Sequence, residues 1–270
     1  MKVFVFDTSI CNGCYNCQFA CKDEHCDNDW TPYAKPQPET GHYWLKLSEN
    51  TRGTIPKVKV NYVATLCNHC DDPACLDACP VDGAIYERQD GLVIIDPEKC
   101  TGCTDCVAAC PYQAIYMNDE LHIAQKCTGC AHLLDAGWTE PRCVDACPTG
   151  ALKFLEEADA ADLVADAELP QPGNGLEPRV YYLNLPKKFI AGTVYDPVKK
   201  VVVKRAACVL TPAAGGAVTQ VETDGFGDFW FHGLEVGTYS LEIRTEGFPV
   251  KQFAGLSTET DINLGDIPLG

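Results

Sequence analysis

The chain has 270 residues, 46% of them hydrophobic, and its 38 acidic against 21 basic side chains give a formal net charge of −17. That length suits two domains, each with a core of its own. The acidic balance leaves no basic stripe to meet phosphates and argues against nucleic acid, and no apolar run reaches the length of about 18 residues that marks a transmembrane helix, so no membrane span is expected.

Residues 1–6 alternate into Asp7 and predict a first strand. They lack the small-residue cleavage site of a secretory signal, and no twin-arginine pair stands near them, so the expected location is cytoplasmic. Next comes the group Cys11-x2-Cys14-x2-Cys17-x3-Cys21. Residues 22–66 read as an insertion: an acidic stretch from Asp23 to Asp29, a loop broken by Pro32, Pro36 and Pro38, then two alternating segments, 42–47 and 57–62, patterned as a hairpin. The second group is Cys67-x2-Cys70-x4-Cys75-x3-Cys79-Pro80. Residues 83–86, the turn Asp90-Gly91 and residues 92–97 read as strand, turn, strand. They lead to Cys100-x2-Cys103-x2-Cys106-x3-Cys110-Pro111. Residues 114–117 and 121–124 predict another hairpin before Cys127-x2-Cys130-x12-Cys143-x3-Cys147-Pro148, and residues 151–155 close this part.

Sixteen of the eighteen cysteines thus fall into four groups of four. The third group has the C-x2-C-x2-C-x3-C-P run of bacterial ferredoxins, in which three thiolates wrap one [4Fe–4S] cubane and the fourth reaches a neighbouring cluster. The first has the same spacing without the proline, and the other two are lengthened at one gap each. Gly13, Gly102 and Gly129 let the loop backbone approach an inorganic core. Zinc asks for two CxxC-like pairs in one tetrahedral set and would leave over the third thiol of each 2–2 spacing. Disulfides ask for an oxidising compartment and usually a smaller chain. Sixteen thiolates at four per cluster predict four [4Fe–4S] clusters.

Strand, turn and strand is the usual connection between the halves of one ferredoxin unit. The second and third groups are therefore partners, and the first and fourth are left to each other. The expected ligand sets are Cys11, Cys14, Cys17 and Cys147; Cys127, Cys130, Cys143 and Cys21; Cys67, Cys70, Cys75 and Cys110; and Cys100, Cys103, Cys106 and Cys79.

From residue 156 the composition turns acidic and alanine-rich, with Pro170-Gln-Pro-Gly-Asn-Gly175 as a loop, and residues 179–183 are expected to pack back on the cluster part. Beyond residue 189, short alternating segments at 190–195, 201–204, 207–211, 217–223, 228–232 and 239–244 suggest a sandwich or barrel. The stretch from Thr223 to Tyr239 resembles the repeat of prealbumin-like, Cna-B-type modules. The fold class is therefore α+β: tandem bacterial ferredoxin-like units with two [4Fe–4S] clusters each, then an all-β sandwich or barrel. The expected domains are 1–160, with its insertion at 22–66, and 189–270, joined by a linker at 161–188. Cys26 and Cys208 are expected to be free thiols, and His69 to tune a cluster through hydrogen bonding. No Walker or dinucleotide glycine motif is present.

With Cys67-Asn-His-Cys-Asp-Asp-Pro-Ala-Cys75 and the segment 91–100 in view, residues 1–160 resemble the four-cluster iron–sulfur subunit of the DMSO reductase superfamily. Gln125-Lys-Cys-Thr-Gly-Cys-Ala-His-Leu-Leu-Asp135, Pro178-Arg-Val-Tyr-Tyr182 and the β-domain narrow the resemblance to its transhydroxylase branch, which acts between pyrogallol and phloroglucinol. That resemblance implies an electron-transfer subunit beside a larger molybdenum or tungsten bis-pterin catalytic subunit, exchanging electrons with an external carrier, and no substrate site on this chain. The branch has three clusters, whereas all sixteen cysteines stand here, which suits net electron exchange in a hydroxylase or reductive dehydroxylase of phenols. A respiratory reductase of the same superfamily, a free-standing polyferredoxin and a zinc scaffold are the alternatives.

Overall fold

A computed structural model of the chain describes residues 1–169, 173 and 175–270, so most of the loop expected at 170–175 lies outside the described residues. The chain forms two compact units, residues 1–49 with 61–185 and residues 50–60 with 186–270.

The first unit is built on β1 (Lys2–Asp7), whose Val3, Phe4, Val5 and Phe6 are all buried. A strand apolar on both faces needs cover on both. Phe4 and Phe6 enter the main core with Leu45, Leu92, Leu152 and Tyr182, while Val3 and Val5 pack against Ala160 on the other face. After the first cysteine loop comes α1 (Asn16–His25), followed by the hairpin β2 (Leu45–Thr54) and β3 (Lys57–Leu66). Each later cysteine loop leads into a helix of one turn or little more: α2 (Ala74–Asp77), α3 (Asp105–Ala109), α4 (Ala131–Asp135) and α5 (Arg142–Asp145). Two small antiparallel ladders separate the loops. β4 (Ile85–Glu87) pairs with β5 (Val93–Ile95), and β6 (Ile115–Asn118) with β7 (Ile123–Lys126).

Two strands then return to β1. β8 (Leu152–Glu156) lies antiparallel to it and leads into α6 (Glu157–Ala160), while β9 (Val180–Leu183) lies parallel on its other edge. Residues expected as linker are therefore part of this unit. Val180 and Tyr182 are buried, and Glu168 forms a bridge with Tyr182. The insertion packs on α1 and α4: Trp44 is buried beside His25 of α1 at 4.7 Å between ring centres, and Trp30 stacks on His132 of α4 at 4.2 Å.

The second unit is a β-sandwich. One sheet holds β10 (Lys188–Asp196), β11 (Val201–Val202), β14 and β17; the other runs β13-β12-β15-β16. These strands are β12 (Ala207–Pro212), β13 (Thr219–Glu222), β14 (Asp228–Leu234), β15 (Thr238–Arg244), β16 (Lys251–Ser257) and β17 (Ile262–Pro268). Ile190, Val194, Phe229, Phe231 and Ile267 of the first sheet and Cys208, Leu210, Leu241 and Ile243 of the second share one core. The hairpin tip belongs to this unit: Lys57 pairs with Asp228, and the Asn263 side-chain amide donates to the Thr54 carbonyl at 3.0 Å.

Candidate metal centres

The cysteine loops share one backbone device. In every group the residue before the second cysteine is left-handed: Gly13 (φ 70°), His69 (φ 43°), Gly102 (φ 71°) and Gly129 (φ 60°). In the two groups with 2–2 spacing a second left-handed residue follows, Tyr15 (φ 61°) and Thr104 (φ 70°), and opens α1 and α3. Two such reversals in close succession curl the chain so that three thiols face one volume. Glycine adopts this conformation freely, and histidine is among the residues that tolerate it.

The loops bring the sixteen thiols into four groupings. Cys11 and Cys17 stand within electrostatic reach of both Cys14 and Cys147. Cys21 and Cys143 face one another and Cys127 and Cys130. Cys67, Cys70, Cys75 and Cys110 line a hollow of about 370 Å³, mouth included. Cys79, Cys100, Cys103 and Cys106 line another of about 290 Å³. Each grouping takes three thiols from one segment and one from another. Neighbouring groupings also adjoin, since Cys17 is within reach of Cys143, Cys127 of Cys67, and Cys106 of Cys75.

The donor chemistry fits a cluster. Among the described residues, no three His, Cys, Asp or Glu side chains converge on a point that would hold a single ion. In two of the groupings the four thiols line a hollow instead, as a cubane requires. None of the eighteen cysteines is in a disulfide. Burial, reinforced by neighbouring thiols, pushes Cys17, Cys70 and Cys106 up to about 12, and Cys21 and Cys143 well up. Such thiols give up their protons only to a compensating cationic core. Cys147 goes the other way: burial alone would raise it, but hydrogen bonds from Leu152, Thr149 and Ala151 together outweigh that and lower it.

The remaining two cysteines stand apart. Cys208 is fully buried in the sandwich core, and Cys26 follows α1. Three further residues border the third grouping. His69 is 1% exposed, and its Nδ1 accepts the Val93 N–H at 3.0 Å. Lys126, 2% exposed, donates from Nζ to the Val93 and Cys127 carbonyls. Arg179 reaches the His69 carbonyl at 3.2 Å and Glu87 at 2.8 Å. Nothing in the spacing of the cysteines gives Lys126 or Arg179 a role. The sequence signals are indirect: Lys126 and Arg179 lie within the motifs that carry the family resemblance, and residues 179–183 read as packing back on the cluster part, but neither pattern assigns the side chains a role. Among the described residues no helix is long and apolar enough to cross a membrane.

Residues 58–157 match the family model described as a 4Fe-4S dicluster domain, and residues 190–265 match a carboxypeptidase regulatory-like domain. The chain is 38% identical over 259 residues to the pyrogallol hydroxytransferase small subunit of Pelobacter acidigallici, covering 90% of each chain. It is 38% identical over 175 residues to the B subunit of the anaerobic dimethyl sulfoxide reductase of Escherichia coli, covering 62% of this chain and 82% of that one. With the arsenate respiratory reductase iron–sulfur subunit of Shewanella sp. it shares 31% identity over 233 residues, 66% of this chain and 94% of that one. The chain therefore belongs to the iron–sulfur subunits of the DMSO reductase superfamily, which bind [4Fe–4S] clusters and transfer electrons within oxidoreductase complexes.

Proposed function

We propose that this subunit carries four [4Fe–4S] clusters in a line and passes single electrons between a molybdenum or tungsten bis-pterin site in a larger catalytic subunit and an external carrier. The ligands are Cys11/Cys14/Cys17/Cys147, Cys127/Cys130/Cys143/Cys21, Cys67/Cys70/Cys75/Cys110 and Cys100/Cys103/Cys106/Cys79, in that order along the line. One observation carries the reading: the end groupings each present an exposed thiol, Cys14 and Cys103, while the inner ones present none, with Cys21, Cys127, Cys130, Cys143, Cys67 and Cys70 buried and Cys75 and Cys110 half-buried. Open ends and an insulated middle suit a relay.

The clusters supply one-electron chemistry when bound. The chain's own residues hold the thiolates, exclude water from the inner stations and set the local charge. Cysteines exchanged between loops fix the two stations of each pair side by side, which keeps the hop within each pair short. Substrate chemistry takes place in the partner.

The substrate class we infer is phenolic aromatics, in a transhydroxylase, hydroxylase or reductive dehydroxylase. Similarity along 90% of a pyrogallol hydroxytransferase subunit supports it. A complete set of sixteen thiols favours reactions with net electron exchange. The test is anaerobic purification with the co-purifying subunit, iron quantification, EPR of the reduced protein, and turnover of trihydroxybenzenes with a redox dye. About sixteen irons per chain, at four per cluster, with dye-linked turnover supports the reading. Far less iron sinks the relay. Full iron with turnover only on dimethyl sulfoxide or arsenate moves the complex to the respiratory reductases, a reading favoured by similarity to those subunits.

A further inference from the structure

The middle of a buried relay has an electrostatic difficulty. A cubane held by four thiolates is already anionic, and reduction adds another negative charge. Burial disfavours that charge, because the low-dielectric interior solvates it poorly. With exposed thiols at Cys14 and Cys103 only, the two inner stations are harder to reduce than the ends unless something compensates.

Two side chains at the junction of the inner groupings can compensate, and a single residue, Val93 of β5, holds both. Its N–H is accepted by His69 Nδ1 at 3.0 Å, and its carbonyl accepts from Lys126 Nζ. Because Nδ1 accepts, the ring proton of His69 is on Nε2. That Nε2 is buried with no hydrogen-bond partner in the structure, and His69 lines the hollow of Cys67, Cys70, Cys75 and Cys110. A buried N–H donor left without an acceptor costs about 1–3 kcal/mol, so such groups are rarely left unpaired. A cluster sulfur is the acceptor this hollow offers.

Lys126 spends two of its three protons on carbonyls, those of Val93 and Cys127, and the third faces Cys67. Its nearest negative groups are Cys67, Cys75 and Cys127, drawn from both inner groupings. Arg179 also approaches Cys70, but Glu87 and Asp71 neutralise it. Lys126 is thus the buried cation that both inner stations share.

We propose that Lys126 and His69 are positioning residues for electron transfer, which keep the two inner clusters reducible by placing a positive charge and an N–H donor at the junction between the ferredoxin pairs. Charge and hydrogen bonds to sulfur are the protein's means of setting cluster potentials. The two residues leave different signatures. Lys126 acts on the clusters of Cys67/Cys70/Cys75/Cys110 and Cys127/Cys130/Cys143/Cys21, whereas His69 acts on the first of these only. The inference rests on the four-cluster relay proposed above.

The test is an EPR-monitored redox titration of the full chain with its co-purifying subunit, with the inner signals assigned by their loss in Cys75→Ala and Cys130→Ala. In Lys126→Met both inner clusters should show at least a tenfold smaller reduced-to-oxidised ratio at a fixed potential, a downward shift of about 59 mV for a one-electron couple. The end clusters should stay unmoved, and Lys126→Arg should restore the inner ones. His69→Asn, which tolerates a left-handed backbone but loses the Nε2 donor, should shift the Cys67/Cys70/Cys75/Cys110 cluster alone. Fully loaded variants with unshifted inner clusters, or an equal shift in all four, overturn the inference and leave the relay intact. Should Lys126→Met load less iron than the parent, His69→Asn decides, and no shift there refutes it. A parent protein lacking the four clusters defeats the relay itself, so the two failures are distinct.

Discussion

Gly102→Ala should empty one end of the line. Gly102 has φ +71°, and a Cβ there would overlap the His122 carbonyl oxygen and lie 3.0 Å from Met117 Cε. The left-handed backbone alone costs an L-residue about 1–2 kcal/mol. The overlap adds about 1–3 kcal/mol, because a carbonyl cannot swing aside like a side-chain tip and the β6–β7 turn has to move. The total, about 2–5 kcal/mol, is a large part of a domain's net stability of about 5–15 kcal/mol. It falls on the loop that presents Cys100, Cys103 and Cys106. Gly150→Ala is the control: φ is +66°, but the nearest atom is Lys153 Nζ at 3.8 Å, so only the backbone term applies. Iron per chain and denaturant midpoints, measured anaerobically on both variants, read the difference. Gly102→Ala should fall by about four irons, one cluster, and Gly150→Ala should keep full iron. Equal iron and equal midpoints in the two would show that the cradle does not depend on the close approach of these backbones.

Three further outcomes are expected. Cys103→Ser removes an exposed ligand without disturbing a core, so electron throughput should drop in a dye-linked assay while the catalytic partner still co-purifies; unchanged throughput with that cluster absent would count against a linear relay. Cys26→Ser and Cys208→Ser should leave iron content unaltered, with Cys208→Ser destabilising the sandwich by about 1–3 kcal/mol because a hydroxyl replaces a fully buried thiol, as a denaturation curve will register. Stripping iron with an oxidant and chelator should unfold the first unit, whose buried thiols then lack their counter-charge, while the sandwich, which has its own core, retains its β-type circular dichroism; loss of both signals together would refute this.

Much of this was legible because cysteine spacing is a local geometric constraint. Reversals at Gly13 and Gly102 gather three thiols within seven residues, so those groups can be read without knowing the rest of the fold. The short β4–β5 ladder lies between the second and third groups, as the strand, turn and strand pattern predicts. Other elements left weaker traces. The second cluster hairpin falls one or two residues later than its apolar pattern suggests, because Asn118 accepts the Glu120 and Leu121 N–H groups and His122 turns left-handed, lengthening the turn. β16 and β17 escaped notice: both carry a left-handed glycine, Gly255 and Gly265, and neither buries every second side chain cleanly. Residues 161–188 read as linker because β9 is four residues long and gains its partner only from β1, far away in sequence. Lys126 and His69 were invisible as a pair, since Val93, which joins them, lies 24 residues from one and 33 from the other.

The placement of β1 bears on how such a subunit is made. Its two neighbours, β8 and β9, are the last strands of the first unit to leave the ribosome, and Cys147, within electrostatic reach of Cys11 and Cys17, lies just before β8. The groups spanning residues 67–110 contain all their partners within one short stretch of nascent chain. The order of the chain therefore lets the central loops meet the thiols that share their hollows once residue 110 has been made, whereas the amino-terminal loop has its distant neighbour only once the segment carrying Cys147 exists.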